Sequence, residues 1–139
     1  MSLSIRNQLP GTVTTLTPGE AMATVGIRLT GGQDITAAIT REAAEDLRLT
    51  PGTAVRALMK STEIALATAP VEGLSIRNRL PGTVTHIAAG DAMVSVRVTV
   101  EGGELTSAIT RDAAEDLALS PGTPVVALIK ATEVALATA

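Results

Sequence analysis

The chain is written twice. Leu3-Ser4-Ile5-Arg6-Asn7-Gln8-Leu9-Pro10-Gly11-Thr12-Val13-Thr14 returns as Leu74-Ser75-Ile76-Arg77-Asn78-Arg79-Leu80-Pro81-Gly82-Thr83-Val84-Thr85. The echo then runs to the end. Gly19-Glu20-Ala21-Met22 becomes Gly90-Asp91-Ala92-Met93, Ala38-Ile39-Thr40-Arg41 becomes Ala108-Ile109-Thr110-Arg111, and Lys60-Ser61-Thr62-Glu63 becomes Lys130-Ala131-Thr132-Glu133. One residue of Gln33-Asp34 is lost in the second copy beside a Gly-Gly pair, a change that a hairpin tip tolerates. The period is about twice the 20 to 50 residues of solenoid repeats, so each copy is expected to be a small domain rather than a stacking unit. The expected division is residues 1–69 and 74–139, joined by residues 70–73.

Composition narrows the core and the compartment. Phe, Tyr and Trp are absent, so the interior has to be built from Val, Ile, Leu, Ala and Met. A half of this size buries only about 60% of its unfolded surface, which is marginal for a lone domain. Fusion and oligomerisation are the available remedies. Cysteine is absent, which removes disulfides and thiolate ligands. The segment Met1-Ser2-Leu3-Ser4-Ile5-Arg6 has no charged stretch followed by a long apolar run, and no apolar run reaches the roughly 20 residues of a membrane span. The expectation is a cytoplasmic protein without membrane association. The net charge of −3 argues against a general affinity for nucleic acid.

Local patterning predicts an all-β unit with one short helix. In each copy a short alternating strand, Leu3-Ser4-Ile5-Arg6, sets Ser4 and Arg6 on one face and Leu3 and Ile5 on the other. A turn at Pro10-Gly11 follows, then a strand over 12–16 and a turn at Thr17-Pro18-Gly19. Strands over 21–29 and 35–40 flank the Gly31-Gly32 hairpin. Thr40 is the expected N-cap of a short helix through Leu47. Strands over 54–60 and 63–68 close the unit. That order is the one a five-stranded OB-like barrel requires, given twice. Val55-Arg56-Ala57-Leu58-Met59 carries apolar residues on both faces, so its second face is expected to meet another barrel.

Enzymatic readings lack parts. His86 is the single histidine, and Thr15 stands in its place in the first copy. No cysteine or tyrosine is available as a nucleophile or acid, and no His or Cys spacing suits a metal. Glu45-Asp46 and Glu115-Asp116 read as solvated helix surface, because adjacent helical residues do not face each other. Gly31-Gly32 lacks the remainder of a phosphate-binding loop. Nucleic acid, which OB-type barrels often bind, wants aromatic platforms and a basic groove; this chain has neither aromatic residues nor positive net charge.

The cations are more specific. Lys60 and Lys130 are the only lysines, and they occupy equivalent positions, each opening the segment K-[SA]-T-E. Ser4 with Arg6 and Ser75 with Arg77 are doubled likewise. Brought together, these groups offer hydroxyl, guanidinium, ammonium and backbone N–H groups, all of them donors. A donor-only site suits a compact, fully ionised tetrahedral dianion and disfavours a protonated one. Charge-assisted bonds contribute about 1.5 to 3 kcal/mol each, so about five to eight of them meet the cost of micromolar binding.

Together, the S-x-R-N opening, the G-T-V after Pro-Gly, G-[ED]-A-M, [TS]-A-I-T before the helix and K-[SA]-T-E resemble the molbindin, or Mop-domain, family over both halves of the chain. The resemblance implies OB-like barrels that bind molybdate or tungstate without catalysis, as the oxyanion rather than as a metal ligated by side chains. It also implies a homotrimer for a tandem chain, equivalent to six barrels, with anion sites between neighbouring barrels. Carried over by position, it implies Ser4 and Ser75 as hydroxyl donors, Arg6 and Arg77 as charge partners, and the amides beside Ile5 and Ile76 as further donors. It implies Lys60-Ser61 and Lys130-Ala131 as the second cationic segment, where Ala131 offers only its backbone N–H. The competing expectation is an oligomeric structural or regulatory interaction module whose assembly senses an oxyanion.

Overall fold

The computed structural model describes residues 3–138; the outermost residues of the two expected domains, Met1-Ser2 and Ala139, lie outside them. The protein is mainly β, built as two OB-like five-stranded barrels with one short helix each. In chain order the elements are β1 (Asn7–Pro18), β2 (Met22–Leu29), β3 (Asp34–Thr40), α1 (Arg41–Asp46), β4 (Ala54–Met59), β5 (Ala65–Ala67), β6 (Asn78–Ala89), β7 (Met93–Val100), β8 (Gly103–Thr110), α2 (Arg111–Asp116), β9 (Pro124–Ile129) and β10 (Ala135–Thr138). Single 3₁₀ turns, Ser61–Glu63 and Ala131–Glu133, follow β4 and β9.

The two copies exchange their last strands. One sheet runs β10-β4-β1-β2-β3 and the other β5-β9-β6-β7-β8, antiparallel throughout. Thus Ala135 to Thr138 of the second copy pair with Leu58 to Val55 of the first, and Ala65 to Ala67 of the first pair with Leu128 to Val126 of the second. The cause lies in the five residues between β4 and β5. Lys60 is extended (φ −70, ψ 141), one 3₁₀ turn follows, and Ile64 is extended again (φ −102, ψ 112). A path extended at both ends steps sideways instead of doubling back, so β5 reaches the neighbouring barrel.

One contiguous apolar core therefore runs through both copies, from Val13, Val25 and Ile27 to Val84, Val96 and Val98. Alternation along β2 and β7 puts every second residue into it, and each buried Val, Leu or Ile contributes about 1.5 to 3 kcal/mol. Leu58 is buried on the opposite side of β4 from Ala57, in contact with the cleft shared with the other copy, as the two-faced apolar pattern of that strand predicts.

Two local expectations are corrected. Leu3-Ser4-Ile5-Arg6 is not a strand but irregular chain leading into β1, although Leu3 and Ile5 are half-buried while Ser4 and Arg6 are exposed. Pro10-Gly11 is not a turn but lies inside the long β1, and Pro81-Gly82 lies likewise inside β6. Pro10 is tolerated because its missing N–H falls beyond the end of β2: its carbonyl accepts from the Thr30 amide at 3.0 Å, and the paired register with β2 begins only at Gly11. Gly11 is required by close approach, since a Cβ there would lie 2.7 Å from the Arg28 carbonyl oxygen, and at Gly82 2.5 Å from that of Thr99. The strand bends instead at a bulge between Val13 and Thr15, repeated between Val84 and His86.

The helices follow the predicted capping. Thr40 Oγ1 accepts from the Ala43 amide at 3.1 Å, and Thr110 does the same for Ala113. Glu45 and Glu115 are exposed and face Arg41 and Arg111 at 3.9 and 3.7 Å. Each helix ends in a Schellman arrangement: the Leu49 amide donates to Ala44 O and the Arg48 amide to Glu45 O.

Candidate functional site

Strand exchange builds two equivalent clefts at the junction of the copies. The first, about 370 Å³, sets Ile5, Leu58 and Lys60 of copy one against Thr132, Glu133 and Val134 of copy two. The second, about 330 Å³, sets Ile76, Leu128 and Lys130 of copy two against Thr62, Glu63 and Ile64 of copy one. The edges of β3 and β8 form one wall of each, through residues 38–40 and 108–110. Each cleft is thus lined by one lysine and one glutamate among mostly apolar residues. Neither lysine forms an ion pair among the described residues.

The walls are fixed by a device that composition did not reveal. Asn7, only 2% exposed, donates from Nδ2 to the Thr106 carbonyl and accepts at Oδ1 from the Thr106 amide, both at 2.8 Å. Asn78 does the same to Thr36, at 2.8 and 2.7 Å. A carboxamide stands in for a missing strand neighbour on the outer edges of β3 and β8, so buried polar backbone is satisfied across the copies. The signal in the sequence was the doubled asparagine next to the doubled arginine. Its role is invisible without the topology.

The positions singled out from sequence divide into two groups. Ile5 with Lys60, and Ile76 with Lys130, are brought together in the clefts. Ser4, Arg6, Ser75 and Arg77 are exposed on the segments entering β1 and β6 and do not line them. Arg6 folds back instead, donating to Ser4 O at 3.2 Å and Leu3 O at 3.0 Å. In the second copy a similar backbone-clasping task falls to Arg79, which replaces Gln8 and donates to Ile76 O at 3.1 Å, Leu74 O at 2.8 Å and Val71 O. Ser61 and Ala131 begin the 3₁₀ turns that run from one cleft to the other. The Ser61 hydroxyl is buried with no hydrogen-bond partner, a donor held without an acceptor.

Two strand-exchanged barrels define a duplicated β-barrel module with a pair of clefts between its copies. Residues 3–66 and 74–136 each match the TOBE domain, and the chain belongs to that family. It is 45% identical over 138 residues to the molybdenum-pterin-binding protein MopB of Rhodobacter capsulatus, a match covering 96% of this chain and 50% of MopB. It is 38% identical over 138 residues to the molybdenum transport protein ModE of Azotobacter vinelandii, covering 99% of this chain and 51% of ModE. The chain spans about half the length of these curated relatives. A crystal structure of the cytoplasmic molybdate-binding protein ModG, with molybdate bound, matches over the whole of both chains with a TM-score of 0.97 and 39% identity. The resemblance to Mop-domain proteins drawn from the sequence is borne out by these relatives.

Proposed function

We propose that this chain is a non-catalytic binding protein for molybdate, or tungstate, that stores or buffers the anion in the cytoplasm as a homotrimer. The observation that carries the reading is the pair of clefts, each presenting one unpaired ammonium from one copy beside the 3₁₀ turn of the other. The likeness of the whole chain to molybdate-bound ModG supports the same ligand, and the relatives named for molybdenum support the same element.

Ser4, Arg6, Ser75 and Arg77 enter as donors supplied to a cleft of a neighbouring subunit. Their exposure within the single chain is what such a contribution needs. Lys60 and Lys130 supply charge, and the unpartnered Ser61 hydroxyl and the Ala131 amide supply the remaining donors. The array polarises no bond and abstracts no proton: it replaces the hydration shell of a dianion with fixed donors. Replacing Arg6 and Arg77 together by Ala is expected to weaken molybdate retention roughly ten- to hundredfold, the value of one charge-assisted hydrogen bond per site, while the oligomer stays folded. Unchanged stoichiometric uptake by that variant would overturn the arginine assignment.

A further inference from the structure

Each cleft holds a carboxylate residue as well as a lysine, and the two come from different copies. Glu133 lines the cleft of Lys60, and Glu63 lines the cleft of Lys130. Among the residues lining each cleft these are the only charged ones. The arrangement is reciprocal. Each 3₁₀ turn starts just after the lysine of one cleft and ends on the glutamate of the other, and the turn is closed by the glutamate's own amide donating to that lysine's carbonyl, at 2.9 Å in both copies. Each glutamate shares a cleft lining with a lysine but forms no ion pair with it within the chain.

A carboxylate has no donor to offer an oxyanion. In a cleft of limited size it repels a dianion and competes with it for the flexible ammonium. Resting on the anion-binding reading above, we propose that Glu63 and Glu133 are built-in counter-ions that limit affinity, keeping the bound dianion exchangeable. The lysine attracts, the glutamate of the opposite copy opposes, and release is faster than the lysine alone would allow. Coulombic repulsion is proportional to ligand charge, which separates this role from a structural one. A tetrahedral monoanion should feel half the repulsive energy of a dianion.

The test uses the full-length protein with Glu63→Gln, Glu133→Gln and the double variant, and two probes of similar shape, molybdate and perrhenate. Neutralising the carboxylates is expected to tighten molybdate binding about tenfold and perrhenate only about threefold, the square root, with the gain seen mainly in a slower molybdate off-rate. Glu63→Asp with Glu133→Asp keeps the charge and should remain close to the parent. Equal gains for both probes, or no gain in a parent that binds molybdate, would overturn the counter-ion role alone. Failure of parent and variants alike to retain molybdate would overturn the anion-binding reading and this inference with it.

Discussion

The two copies share nearly every backbone feature but differ where they touch. At the junction the second copy has Ser107 where the first has Ala37, both wholly buried. Ser107 Oγ donates to the Ile64 carbonyl at 2.6 Å, tying β8 to the exit of the 3₁₀ turn that lines the Lys130 cleft. At the Lys60 cleft the equivalent pair, Ala37 and Val134, has no hydroxyl to make that tie. Conversely, the first copy has the buried, unpartnered Ser61 hydroxyl where the second has Ala131. The Lys130 cleft is therefore braced by a hydrogen bond that the Lys60 cleft lacks, while the turn after Lys60 keeps a hydroxyl that the turn after Lys130 lacks. Duplication preserved the frame and let the two sites diverge.

The asparagines test the shared part of that comparison and should give the largest effect. Asn7→Ala leaves the amide and carbonyl of Thr106 without a partner, and Asn78→Ala does so for Thr36. Each is expected to cost about 2 to 4 kcal/mol in chemical denaturation, and the two costs should agree closely because the geometry is the same. Ser107→Ala probes the divergent part: a loss of about 1 kcal/mol is expected, with no counterpart at Ala37. A smaller effect of opposite sign is expected at the helix ends. Arg48 and Ala118 hold φ of 53 and 52, left-handed values that strain a side chain, so Arg48→Gly and Ala118→Gly should each raise stability by about 0.5 to 1 kcal/mol.

The smallest difference lies at the hairpin edges, where Arg28 holds Asp34 through two bonds of 2.9 and 3.1 Å and Arg97 faces Glu104 at 3.2 Å. The hydrogen bond from Arg28 keeps the Asp34 carboxyl below its ordinary value of 3.8. A lowered carboxyl contributes stability above that ordinary value and loses it as pH falls through the folded one. The pair is exposed, so Asp34→Asn should leave the melting temperature nearly unchanged at pH 7 and remove only a slight part of the decline below about pH 4.

Much of this was legible because local chemistry decided it. Thr40 and Thr110 read as caps, the Gly-Gly tip read as a hairpin, and residues 21–29 read as the strand leading into it. Strand exchange was not legible, since Ala65-Leu66-Ala67 shows the same pattern whichever barrel it joins; the extended geometry on both sides of one 3₁₀ turn decides the partner. Pro10-Gly11 misled because the pair normally marks a turn, whereas here proline falls past the end of a ladder and glycine sits where the neighbouring strand β2 comes too close for a Cβ. The Schellman ends were hidden because Arg48 and Ala118 stand where glycine is the usual cue. The family resemblance put Ile5 with Lys60 and Ile76 with Lys130 at one site, and they do share the clefts. The distance of Ser4 and Arg6 from the clefts could not be read, because it depends on how the entering segment leaves β1.

Molybdate binding is tested most directly by equilibrium dialysis of the purified protein against molybdate in a large excess of sulfate, with bound molybdenum counted per oligomer by elemental analysis. Absence of tryptophan and tyrosine makes intrinsic fluorescence uninformative. Several molybdenum atoms per oligomer, retained against sulfate, is the expected result. A protein that emerges with no molybdenum would contradict the anion-binding function.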